Sequence, residues 1–180
     1  MDKIVIKGQR QLSGKVKISG AKNAVLPIMT VALMADGKSI IRKVPNLRDT
    51  RTMIQLMEII GAKCSFKNDR LVINASTVNN PEAPYELVKT MRASFYVLGP
   101  LLARFGKVRV SLPGGCAWGP RPVDFHLKAL EKLGAKVTLK KGYILAEANK
   151  LKGANISFEF PSVGATGNIV MAAATADGRT

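Results

Sequence analysis

Histidine and tryptophan each occur once in this 180-residue chain, cysteine twice, and aromatic residues make up only 6%. With one histidine and two widely spaced cysteines there is no Cys/His cluster for a metal, and no metal site or cofactor is expected. Walker and G-x-G-x-x-G loops are also missing, which removes the commonest nucleotide-binding signatures. A long apolar run is lacking too. The longest, Ala24–Ala35, is broken by Pro27 and Thr30 and falls short of the roughly 18 residues a membrane span needs. The opening "MDKIVIKGQRQLSG" alternates like a strand and has no apolar h-region, so no signal peptide and no membrane association are read, and a cytoplasmic location is the expectation. Disulfide pairing of Cys64 with Cys116 does not suit such a location, and Cys64, in the alternating "GAKCSF", reads as a small buried side chain.

Acidic residues are the other scarcity: 12 against 28 lysines and arginines, a formal charge of +16. Such a field favours anionic partners. No basic run exceeds two residues and few aromatics lie among the cations, unlike a polybasic tail or a base-stacking surface. Small phosphorylated ligands therefore rank above nucleic acid. Apolar residues, at 47%, are plentiful enough for a globular core.

What the chain does contain is a repeat. "MIQLMEIIGAKCSFKNDRLVINA" (53–75) aligns without a gap with "HLKALEKLGAKVTLKKGYILAEA" (126–148). Each reads as an amphipathic helix, a glycine stop and a two-stranded hairpin. Upstream, "GKSIIRKVP" (37–45) pairs with "GKVRVSLP" (106–113), each a strand preceded by a helix, roughly Asn23–Ala35 and Thr90–Arg104. A third copy opens at "SVGATGNIVMAAATADGRT" (162–180). The unit is thus βαβαββ, an α/β class with internal repetition. Its first helix is apolar nearly all round in copy one, from Ala24 to Met34, and is expected to be buried on every side. The second carries a single stripe, such as Leu127, Leu130 and Leu133. The all-apolar helices should meet centrally with sheets outside. The third unit stops at Thr180, which points to a fragment of a longer polypeptide.

Copy two is four residues longer between its matching glycines, and the surplus lies in "GGCAWGPRP". Added loop on a repeated scaffold is a usual seat of function. Gly114 and Gly115 let backbone close on a ligand. Pro122 suits a first helical turn, and Arg121 beside that turn suits a phosphate or carboxylate. The same cation and helix end would lower the pKa of the Cys116 thiol. The pattern equally accommodates a Gly/Pro turn with an incidental cysteine. Elsewhere, Lys22 at a helix start is unfavourable unless an anion sits there, whereas Asn23 suits an N-cap. Arg92 and Tyr96 share a helical face, which reads as solvated. His126, alone in an amphipathic helix, reads as structural rather than catalytic.

Taken together, "SGAKNAVLP", "KTMRAS", "ARFG", "SLPGGCAWGPRPVDFH" and "SVGAT" closely resemble the UDP-N-acetylglucosamine 1-carboxyvinyltransferases, enolpyruvyl transferases that open peptidoglycan synthesis. The likeness runs the length of the chain in order. The shikimate-using sister family shares the repeated fold but lacks this cysteine loop. The resemblance implies an inside-out α/β barrel of three βαβαββ units per domain. Residues 1–20 would be a strand segment of the other, C-terminal domain, and 21–180 most of one domain. It implies two anionic substrates, phosphoenolpyruvate and UDP-N-acetylglucosamine, with the missing C-terminal half as structural partner. Cys116 becomes the proton donor and the target of the inhibitor fosfomycin. Lys22, Asn23 and Arg121 hold phosphoenolpyruvate. UDP-N-acetylglucosamine falls to Arg92, to the stretch Arg121, Pro122, Val123, Asp124 and Phe125, and to the turn Ser162, Val163 and Gly164. Some members carry lysine where this chain has Phe160, so that contact does not carry over. The family's general base is an aspartate in the other half, so the 180 residues alone are expected to be inactive. Two other readings stay open: a noncatalytic or truncated UDP-sugar-binding paralogue, and a basic nucleic-acid-binding module.

Overall fold

The computed structural model describes residues 3–8, 11–113 and 123–180. Two hairpin-based sheets form where the repeat was read. In the first unit, helix α1 (Lys22–Val31) leads through a 3-10 turn (Ala32–Met34) into strand β1 (Lys38–Arg42), helix α2 (Arg48–Ile60) and the hairpin β2 (Lys63–Lys67) and β3 (Arg70–Asn74). β3 is central, antiparallel to both neighbours, with Val72 opposite Ile40 on one side and Ser65 on the other. The second unit runs β4 (Glu82–Ala83), a short helix α3 (Tyr85–Val88), a 3-10 segment (Arg92–Val97), α4 (Leu98–Phe105), β5 (Lys107–Ser111), α5 (Asp124–Lys132) and the hairpin β6 (Lys136–Lys140) and β7 (Tyr143–Glu147). Its sheet has the order β4-β5-β7-β6, parallel only between β4 and β5. Helix α6 (Val163–Ala173) opens the third unit.

Turn chemistry explains why the hairpins recur. Asn68 and Asp69 in one, Lys141 and Gly142 in the other, all take positive φ, the conformation that matches the twist of paired strands. Each amphipathic helix stops at a left-handed glycine, Gly61 (φ 106°) or Gly134 (φ 89°). The inward faces of both sheets are closed by side chains such as Leu71, Ile73, Val110, Ile144 and Ala146, all at 0% exposure. Helices α1, α4 and α6 pack on one another inside this arrangement, and Met29, Leu33, Leu98 and Leu101 are fully buried there. Helices lie inside and sheets outside, as the repeat pattern predicts.

Three expectations need correction. First, α1 is not buried on every side: Ile28 and Val31 are about half exposed, and on α6 Val170 is 63% exposed. An all-apolar helix is enclosed only where neighbours stand all round it; α4 has them, whereas these faces of α1 and α6 meet none among the described residues. Second, unit one has no opening strand of its own among the described residues, and its alternating lead-in is unpaired there. Residues 3–8 and 11–20 hold no assigned strand, and Ile4, Ile6, Leu12, Val16 and Ile18 are all more than 80% exposed. Alternation makes a strand only when a partner edge supplies hydrogen bonds. Third, the helix read as continuous over Thr90–Arg104 is broken into 3-10 and α segments at Val97–Leu98.

The break has a tertiary cause. A continuous α-helix would join the Gly99 N–H to the Phe95 carbonyl. Instead the side-chain amide of Asn168 stands between them: its Oδ1 accepts from Gly99 N at 2.6 Å and its Nδ2 donates to Phe95 O at 2.9 Å. Pro100 next in line has no N–H to offer Tyr96. A side chain inserted in the helical ladder kinks it. Only glycine fits at 99, since a Cβ would stand 2.3 Å from the Asn168 carbonyl oxygen.

Candidate active site

One end of the helical cluster opens into a cleft of about 710 Å³. Four helix starts converge on it. Lys22 and Asn23 come from α1, Asp49 from α2, Val123 and His126 from α5, and Ser162, Val163 and Gly164 from α6; Arg92 and Tyr96 of the 3-10 segment complete the wall. Helix N-termini present unpaired N–H groups and the positive end of the peptide dipoles. Their convergence makes the cleft a receptor for anions, before any side-chain charge is counted.

Helix α1 begins without a side-chain cap. Ala21 is the N-cap, in extended geometry, and its carbonyl takes the N–H of Val25 at 3.0 Å. Asn23 is therefore the second residue of the helix and not its cap, which leaves its amide for the cleft. Lys22 lies in the first turn, where a cation opposes the dipole. Its ammonium is offset by Asp49, Nζ to Oδ2 at 2.9 Å, with both side chains part-exposed. Asp49 was not singled out in the sequence; in the first turn of α2 it reads only as a residue favourable to that helix's dipole.

Helix α6 is capped differently. The Ser162 hydroxyl accepts from Ala165 N at 3.3 Å, and the Ser162 carbonyl takes Thr166 N at 2.9 Å. That consumes the third and fourth amides of the turn. The N–H groups of Val163 and Gly164 have no intrahelical partner. Ser162 thus has a structural task, capping, that also shapes a donor pair facing the cleft.

Arg92 and Tyr96, read as a solvated face, both line the cleft. Burial raises the Tyr96 pKa, and the neighbouring Arg92 works against that rise. His126 is buried, at 6% exposure, and its Nδ1 lies 3.1 Å from Asn168 Nδ2. The ring sits edge-on to Phe95, centroids 4.9 Å apart. Burial, with the Arg92 charge second, lowers its pKa to about 4 despite the opposing pull of Asp124. His126 is packed into the core, as the sequence suggested, and also forms part of the cleft wall.

Of the segment expected to meet a uridine, Val123 lines the cleft, whereas Asp124 and Phe125 are not among its lining residues; Phe125 packs on Phe158, centroids 5.7 Å apart. Cys116, Arg121 and Pro122 lie outside the described residues. Cys64, in β2, is half-buried and unpaired; burial and the nearby Glu58 push its thiol pKa up to about 12, the state of an inert structural cysteine. Among the described residues no group of three or more His, Cys, Asp or Glu could hold a metal, and no helix is long and apolar enough to cross a membrane.

Comparison with known proteins agrees with this architecture. The UDP-N-acetylglucosamine 1-carboxyvinyltransferase of Chlorobaculum parvum is 58% identical over the whole chain, and that of Chloroherpeton thalassium 56%. The chain spans 43% of the length of each. Among solved structures, the enolpyruvyl transferase NikO from Streptomyces tendae superposes with a TM-score of 0.69 at 24% identity, over 81% of this chain and 32% of its own. EPSP synthase from Acinetobacter baumannii gives 0.72 at 20%, over 92% of this chain and 39% of its own. At those identities the two structures speak for the fold. The family model for EPSP synthase (3-phosphoshikimate 1-carboxyvinyltransferase) matches residues 6–180, and the chain belongs to that family.

Proposed function

We propose that the whole protein transfers the enolpyruvyl group of phosphoenolpyruvate to the 3-hydroxyl of UDP-N-acetylglucosamine and releases phosphate. The observation that carries this is the identity of 58% over every residue of the chain with a protein named for that reaction. The cleft supports it: its donors suit two phosphorylated, anionic substrates.

In this reading Lys22 exchanges its Asp49 partner for the phosphoenolpyruvate anion, with Arg121 as a second cation and Asn23 as a hydrogen-bonding neighbour. Arg92 and the amides of Val163 and Gly164 take the sugar nucleotide, with Arg121–Phe125 toward its uridine end. Chemistry then proceeds in two balanced steps. The sugar oxygen, losing its proton to a base, bonds to C2 of phosphoenolpyruvate while C3 takes a proton from the Cys116 thiol. The tetrahedral ketal then expels phosphate as C3 gives up a proton, restoring the double bond. Fosfomycin alkylates the same thiol. Residues 1–20, with their exposed alternating Ile4, Ile6, Val16 and Ile18, supply a strand to the second domain, and residues 21–180 form most of the first.

The test is acceptor choice. Full-length protein is given phosphoenolpyruvate with either UDP-N-acetylglucosamine or shikimate 3-phosphate, and phosphate release is followed. Release with the sugar nucleotide alone is expected. Release with shikimate 3-phosphate alone would overturn the assignment, and binding of the sugar nucleotide without release would leave a noncatalytic paralogue.

A further inference from the structure

His126 is buried, but its two ring nitrogens have different fates. Their roles follow from Asn168, whose amide orientation is set by the backbone. A peptide N–H can only donate, so the atom 2.6 Å from Gly99 N is the amide oxygen. A peptide carbonyl can only accept, so the atom 2.9 Å from Phe95 O is the amide nitrogen. That nitrogen has a second hydrogen, directed at His126 Nδ1, 3.1 Å away. Nδ1 must therefore accept. A neutral imidazole with an accepting Nδ1 carries its proton on Nε2.

His126 lines the cleft, and Nε2 is on the side of the ring toward the start of α6. It faces Gly164, where a Cβ would come within 3.4 Å of it and 3.5 Å of Cε1. Among the described residues the one hydrogen bond of the ring is at Nδ1. The start of α6 thus has two unconsumed backbone N–H groups and, beside them, the N–H of a buried ring whose orientation Asn168 fixes. Arg92 stands in the same wall.

We propose that His126 is a ligand-binding residue, its Nε2–H held as a donor by Asn168 and bonding an anionic oxygen of the sugar nucleotide at the start of α6. The proposal rests on the functional reading above. It gives Asn168 a positioning role: one amide links α4, α5 and α6, and so sets the relative places of Arg92, His126 and the Ser162–Gly164 turn.

Two isosteres separate the donor role from packing. In His126→Asn the new Oδ1 replaces Nδ1 and still accepts from Asn168, but nothing replaces Nε2. In His126→Gln the longer amide can donate from the Nε2 position, while the acceptor for Asn168 is lost. Binding of UDP-N-acetylglucosamine to the full-length protein is measured by calorimetry, beside the thermal midpoint of each variant. The expected result is a crossed pattern. His126→Asn binds about tenfold more weakly, the loss of one hydrogen bond to a charged oxygen, with the smaller fall in midpoint. His126→Gln binds within about threefold of wild type with the larger fall. Wild-type affinity in His126→Asn would overturn the proposal and leave the functional reading intact, as would affinities that follow the midpoints. Absence of UDP-N-acetylglucosamine binding by the wild-type protein would overturn both.

Discussion

Replacing Asn168 by alanine should be among the most damaging single changes in this half of the molecule. Asn168 is fully buried and its amide satisfies three groups: the Gly99 N–H, the Phe95 carbonyl and His126 Nδ1. Alanine leaves all three without a partner and opens a void the size of the lost amide. Each orphaned buried group costs about 1–3 kcal/mol. Relaxation would recover part of this, since removing the amide lets Gly99 N approach Phe95 O and remake a helical bond, so about 3–6 kcal/mol is expected for three groups. That is a large share of the roughly 5–15 kcal/mol that holds a domain together, and at about 2–4 °C per kcal/mol it lowers the midpoint by about 6 °C or more. The assay is thermal unfolding of the full-length protein, paired with hydrogen exchange of a peptide covering residues 95–102. The Gly99 amide should lose protection together with the fall in midpoint. Asn168→Asp provides the contrast. It keeps an acceptor for Gly99 but turns a carboxylate oxygen toward the Phe95 carbonyl, so it should also destabilise, while drawing the His126 proton to Nδ1. An alanine variant with an unchanged midpoint and unchanged exchange over 95–102 would refute the account of the helix break.

Acid should weaken the fold through His126. Its folded pKa of about 4 lies below the ordinary histidine value, so between pH about 6.5 and 4 the unfolded chain binds a proton that the folded one does not, and stability falls as pH falls, by at most about 3 kcal/mol at the lower limit; midpoint–pH curves of wild type and His126→Asn that run parallel across this window would contradict it. Cys64, with its thiol raised to about 12, should resist alkylation at neutral pH, whereas Cys116, under the proposed function, should be labelled by fosfomycin faster when UDP-N-acetylglucosamine is bound. Peptide mapping that finds the two cysteines equally modified would count against the poised-thiol reading. Lys22→Ala, which removes a charge-assisted contact of about 1.5–3 kcal/mol, should raise the KM for phosphoenolpyruvate by about 10- to 150-fold with a smaller effect on sugar-nucleotide affinity; unchanged phosphoenolpyruvate kinetics would show that Lys22 serves only the Asp49 pair.

Much of the architecture was determined by the sequence itself, because its causes are local. Hairpins at 63–74 and 136–147 follow from two-residue alternation and from turn pairs able to adopt positive φ. The helix stops at Gly61 and Gly134 follow from glycine's freedom at the left-handed position. The repeat could be read because both copies draw on the same local rules, and the resemblance named Lys22, Asn23, Arg92 and the 162–164 turn because motifs are stretches of contiguous chain. What contiguity cannot convey was decided by the tertiary structure. Asp49 becomes the partner of Lys22 only when two helix starts are brought side by side. The break at Val97–Leu98 is completed by an amide about seventy residues further along the chain, inserted where Gly99-Pro100 already weakens the helical ladder. His126 acquires a fixed tautomer for the same reason. A side chain's hydrogen-bonding state depends on which groups surround it after packing, and sequence separation carries no information about that until the fold has closed the distance.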